Sequence, residues 1–97
     1  MITDWVLVHW LDITSCEHPW ISKEEAAELQ PTEMWSAGFI VKESDKALVI
    51  AGTVEPTDGA FGNVNAIPKG VVISVRPLQI ASPSEASSAA VRDAGII

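Results

Sequence analysis

Cys16, His18 and His9 are the residues of this chain whose types come nearest to doing chemistry. Cys16-Glu17-His18 is a Cys-x-His triplet, and His9 lies upstream on a stretch that reads as extended. A cysteine nucleophile needs a base within hydrogen-bonding reach, and a zinc ion needs three or four thiolate, imidazole or carboxylate ligands. With one cysteine and two histidines, a zinc site closes only by adding carboxylates or by crossing a subunit boundary. The triplet therefore reads as polar loop, and His9 as a residue in or beside a core. Carboxylates are plentiful, but Glu24, Glu25 and Glu28 have the spacing of an exposed helix face, not of a converging acid–base pair. Gly59-Ala60-Phe61-Gly62 lacks the lysine and the following helix of a phosphate-cradling loop. The residues point to a non-enzyme, with no catalytic group, no metal and no cofactor implied.

The four tryptophans say more about binding. Trp5 and Trp10 fall on opposite faces of one strand, Trp20 precedes a helix start, and Trp35 opens a second strand. Tryptophan buries a large area at low entropic cost and is enriched among interface anchors. Trp10 or Trp20 is expected near a binding surface or subunit contact. The expected ligand-facing rim is the loop Asp12–Trp20, facing the glycine- and asparagine-rich stretch Thr57–Asn65. The candidate ligand- or partner-binding residues are Trp10, Asp12, His18, Trp20, Phe61 and Asn63.

The elements that must position these residues are mostly strands. Ile2 to Ile13 is apolar on both faces, so one face should line a core and the other must be covered. Ser22-Lys23-Glu24-Glu25 is a capping box, with Ile21 and Ala26 placed as a hydrophobic staple. It predicts a helix over about 22–30 that Pro31 stops, docking through Ala26, Ala27 and Leu29 because so short a helix is not stable alone. Trp35–Lys42 alternates as a strand, with Gly38 marking a bend or bulge. Glu43–Lys46 reads as a tight turn, Ala47–Val54 as an apolar strand and Thr57–Asn65 as a loop. Gly70–Arg76 reads as a last strand entered through a one-turn helix, with Val71, Ile73 and Val75 inward. Together these predict a mainly β fold: a small, strongly bent β-barrel of about five strands with one short helix, over residues 1–80. Residues 81–97 form a low-complexity, alanine- and serine-rich tail.

Composition narrows the function classes. The 97 residues suffice for one small domain, and a hydrophobic share of 47% excludes a wholly disordered chain. The single cysteine excludes an internal disulfide framework. No apolar run reaches the roughly 20 residues needed to cross a bilayer, and the N-terminal residues do not resemble a signal peptide. These observations lead to the expectation of a soluble, cytoplasmic protein. The net charge of −7 is uneven: residues 1–65 carry eleven acids against three lysines, whereas residues 66–97 are net +1. Nucleic-acid binders neutralise phosphates with clustered Lys and Arg, and no such cluster exists here. An acidic surface instead suits a basic protein partner, or simply solubility.

Val8-His9-Trp10-Leu11-Asp12, Gly38-Phe39-Ile40-Val41 before an acidic turn, Leu48-Val49-Ile50-Ala51, and Ile67-Pro68-Lys69 ahead of Val71–Arg76 together resemble small proteins of tailed bacteriophages with an Sm-like barrel layout. The resemblance spans about residues 5–78. It implies a host-cell cytoplasmic location and a non-enzymatic binding or assembly protein acting as a homo-oligomer. An alternative is an anti-defence inhibitor that turns its acidic surface on a host protein or sequesters a small signalling molecule. Asp12, Asp45 and Asp58 stand where Sm-like RNA binders offer basic residues, so direct RNA binding is not implied.

Overall fold

The computed structural model describes residues 4–79; the low-complexity tail at 81–97 and the first three residues lie outside the described part. Strand β1 (Trp5–Asp12) is followed by a short helix α1 (Lys23–Ala27), then β2 (Thr32–Glu43), β3 (Ala47–Glu55) and β4 (Ala60–Pro68). A single 3-10 turn (Lys69–Val71) leads into β5 (Val72–Pro77). The strands form one antiparallel sheet in the order β4-β3-β2-β1-β5.

β2 joins the two halves. Its first part, Thr32 to Phe39, pairs with β1, and its last part, Phe39 to Glu43, pairs with β3. Phe39 belongs to both ladders, and the register shifts just beyond it, where Val41 bulges between Ile40 and Lys42. Such a bulge bends the strand and strengthens its twist. Gly38 is required beside this bend, because a Cβ there would lie 2.9 Å from the Ala51 carbonyl oxygen and 3.1 Å from Ile50 Cβ. The glycine that the sequence marks as a bend is a close approach of two backbones.

The bend lets strands from both halves share one small core. Val6 and Val8 of β1, Leu48 and Ile50 of β3 and Ile67 of β4 are buried, with Trp10, Ile40, Val71 and Val72 packed around them. The turn after β2 is held by Ser44, whose hydroxyl oxygen accepts the Ala47 N–H at 3.2 Å. The Lys69 N–H donates to the Lys46 carbonyl at 2.8 Å and the Lys69 ammonium reaches Glu43 at 2.6 Å, tying the 3-10 turn to the β2–β3 hairpin.

Several expectations need correction. The stretch Thr57–Asn65 is mostly strand: β4 pairs with β3 from Glu55↔Ala60 to Ala47↔Pro68, and only a short turn remains between them. A full ladder of main-chain hydrogen bonds overrides the weak strand preference of Gly62, Asn63 and Asn65. β2 begins at Thr32, three residues before Trp35, because β1 pairs with it as far as Asp12↔Thr32. α1 stops at Ala27, well short of Gln30: the Glu28 and Leu29 N–H groups bond to carbonyls only three residues back, which closes the helix. The predicted capping box is present, with Ser22 Oγ accepting the Glu25 N–H at 3.1 Å. Every residue of α1 is nonetheless exposed, so Ala26 and Ala27 do not dock on the sheet.

On β5, a register shift opposite His9/Trp10 leaves Ile73 as an extra residue, which puts Val72 on the core face with Trp10 and leaves Ile73 exposed. Of this segment only Val71 and Val72 pack against the core; Val75, expected inward, pairs with Val8 but stays exposed at the sheet edge. Finally, β4 and β5 are not paired with each other, so the described sheet is bent but open.

Candidate functional site

The sheet face opposite the core carries an aromatic row. Registered pairs put Trp5, Leu7, His9 and Leu11 of β1 beside Phe39, Ala37, Trp35 and Glu33 of β2. Trp5 meets Phe39 edge-on with ring centroids 5.5 Å apart. Phe39 in turn stacks on Phe61 of β4 at 6.1 Å, across the intervening strand β3. Ala51, the β3 residue paired with Phe39, is small enough to lie beneath these rings and is completely buried. Asn63 adopts a left-handed conformation (φ 52°) two residues from Phe61, a local break in the strand that accompanies the turn of Phe61 toward Phe39.

Beside this row, His9 and Trp35 stack face to face, 4.0 Å apart and 4° from parallel. The His9 Nε2 meets Glu33 Oε1, which fixes the ring over the indole. Trp35 keeps 52% of its surface exposed, Phe61 41% and Val64 50%. Over the registered pairs of this face the charged residues are Glu33, Lys42 and Arg76. Glu55 follows on the same side of β3 by alternation from Ala51 and Thr53, which sets two acids against two bases on this face of a chain of net charge −7.

A second exposed region is the arm between Asp12 and Thr32. Its two ends are joined by the Asp12↔Thr32 pair and by a 2.5 Å hydrogen bond between the Thr14 and Thr32 hydroxyls. Asp12 accepts the Ile13 N–H at 2.8 Å and so closes the end of β1. Beyond that point the chain is almost wholly exposed: Ile13 shows 82% of its surface and Trp20 90%. Ile13 and Leu29 share the walls of an open groove of about 270 Å³ with Thr14, Gln30 and Pro31. The same arm carries exposed Glu17, Glu24, Glu25 and Glu28 against a single lysine, Lys23.

The six candidate residues therefore fall into three places. Trp10 packs against the core, and its indole N–H donates to Ser36 Oγ at 3.0 Å, so its polar group is already satisfied. Asp12, His18 and Trp20 belong to the arm, where His18 and Trp20 are exposed. Phe61 and Asn63 lie on the edge strand β4, with β3 and β2 between them and β1 in the sheet. Trp35, His9 and Phe39 are missing from the candidate set. Their signal was present in the alternation of Trp35, Ala37, Phe39 and Val41, but pairing it with the odd-numbered face of β1 required the hairpin register.

Chemistry is sparse. Cys16 is an exposed thiol, and His9 is engaged by Glu33 on a different element. No group of three or more His, Cys, Asp or Glu side chains is arranged to hold a metal among the described residues. The Asp58 N–H, 2.6 Å from the Glu55 carboxylate, holds that carboxyl below the usual glutamate range. It braces the β3–β4 turn. Among the described residues no helix is long and apolar enough to cross a membrane. Comparison with known protein families, curated proteins and solved structures gives no match.

Proposed function

We propose that this chain is a non-enzymatic binding and assembly protein that works as a homo-oligomer, with the aromatic sheet face as its self-association surface. The observation that carries the reading is the row Trp5–Phe39–Phe61 with the His9–Trp35 stack, left substantially open on one side of the sheet. Contiguous exposed apolar patches of this kind mark interaction surfaces. Charge supports a second copy as the occupant: Lys42 and Arg76 offer partners for a neighbour's Glu33 and Glu55. Among the described residues β4 and β5 are edge strands, and such edges supply a further route for extending the assembly. The Sm-like small-barrel layout and the phage-type setting belong to this reading through the sequence resemblance alone.

The test is sedimentation of the purified protein over a concentration series, alongside Trp35→Asp and Phe61→Asp. The native chain should sediment above monomer mass, and both variants should be monomers with an unchanged circular dichroism spectrum. A native chain that stays monomeric at every concentration sinks the reading. The anti-defence alternative is favoured by one observation, the concentration of exposed acids on the arm.

A further inference from the structure

We infer that the arm between Asp12 and Thr32 is a docking arm for a basic segment of a partner protein, with Trp20 as its anchor. The inference rests on the binding part of the proposed function and not on self-association, since a monomer would present the same arm.

Trp20 is the starting point. A tryptophan costs a large apolar area to leave in water, and this one keeps 90% of its surface there. It therefore adds almost nothing to the stability of the isolated chain. Ile13, at 82%, is nearly as bare. Isolated exposed apolar residues are ordinary, but these two lie on one excursion that also holds the Ile13–Leu29 groove. The groove is open and small, the size for one or two apolar side chains rather than for a whole folded domain.

Charge selects the occupant. Glu17, Glu24, Glu25 and Glu28 are exposed on the same arm as the groove, and Lys23 is the arm's one opposing full charge. An acidic partner, including nucleic acid, would meet like charge there, and a second copy would bring the same acids together. A peptide segment with an apolar side chain flanked by lysines or arginines suits both the groove and the carboxylates of the arm. Charge at such a rim steers association, while the buried ring and aliphatic anchors hold the complex. The geometry also gives the partner a firm footing, because the Thr14–Thr32 hydrogen bond and the Asp12↔Thr32 pair fasten both ends of the arm to the sheet.

The experiment titrates the full chain with three synthetic peptides: one alternating leucine and lysine, one alternating glycine and lysine, and one alternating leucine and glutamate. Binding is followed by amide chemical shifts and by indole fluorescence, in low and high salt. The leucine–lysine peptide should bind, weaken with salt, and shift resonances between residues 13 and 31. Trp20→Ala should weaken it roughly thirtyfold, the size of a hot-spot truncation, and Leu29→Ala should weaken it as well. Equal binding of the glycine–lysine peptide would reduce the arm to unspecific charge and overturn the proposal. So would equal binding of the leucine–glutamate peptide, an unaffected Trp20→Ala, or shifts centred on Trp35 and Phe61. Sedimentation of the same samples separates the two proposals: a monomer that binds through the arm removes self-association and keeps docking.

Discussion

Replacing Gly38 by alanine sets two effects of opposite sign against each other. Alanine restricts the unfolded chain, which stabilises the fold by about 0.4–1 kcal/mol wherever the folded backbone accepts a Cβ. At Gly38 the new Cβ would sit 2.9 Å from the Ala51 carbonyl oxygen, 3.1 Å from Ile50 Cβ and 3.3 Å from Ile50 Cδ1. The nearest atom is backbone of the neighbouring strand, and Ile50 is a buried core residue, so neither can step aside cheaply. Overpacking of this kind costs about 1–3 kcal/mol. The steric effect wins, for a net loss of about 1–2 kcal/mol, which lowers the melting temperature of a domain this size by about 5–15 °C. Gly70 is the internal control: nothing lies within 4 Å of its Cβ position and its φ is not positive, so only the entropic effect acts. Gly70→Ala should raise stability by about 0.4–1 kcal/mol. Urea and thermal denaturation at one fixed protein concentration, chosen because self-association shifts apparent stability, read both variants. Shifts of the same sign at the two positions would refute the claim that a close backbone contact governs the bend of β2.

Two further predictions concern the core and the β3–β4 turn. Leu48→Ala removes one of the five residues that form the buried cluster among the described residues and should cost about 2–5 kcal/mol in urea denaturation, enough to leave the chain marginal. Because the Glu55 carboxylate is held low by the Asp58 N–H, its contribution is present above the usual glutamate pKa and is lost as pH falls through the lowered value. Glu55→Gln should therefore shrink the acid-side fall in stability while leaving the rest of the pH profile in place, and carboxyl NMR titration should find Glu55 below the usual glutamate range.

The strands were readable where side-chain pattern and backbone pairing agree. Ala47–Glu55 is apolar enough to be recognised under any reading, and the capping box at Ser22 is a local signal that needs no partner. β4 was not readable, because Gly62, Asn63 and Asn65 look like loop and become strand only when β3 supplies a ladder of hydrogen bonds. The bulges at Val41 and Ile73 were hidden for a related reason: each changes which residues share a face, and each depends on the neighbouring strand. The same limit governed the functional surface. Trp20 could be singled out because it belongs to no periodic segment. The His9–Trp35 stack could not, since it joins residues far apart in sequence through a register that no local pattern encodes.

The fastening of the arm at its two ends has an evolutionary consequence. The sheet contributes to the arm only a closed pair of positions, Asp12 and Thr32, and takes no buried residue from α1 in return. Lengthening a loop anchored in this way costs little, about 0.6 kcal/mol for each doubling of its length. Sequence between the two anchors is free to drift, expand or be exchanged while the core under Val8 and Leu48 stays unchanged. The fold thus separates inheritance of architecture from turnover of specificity, and a graft between Ile13 and Pro31 is the place where a new recognition surface can be installed without redesigning the sheet.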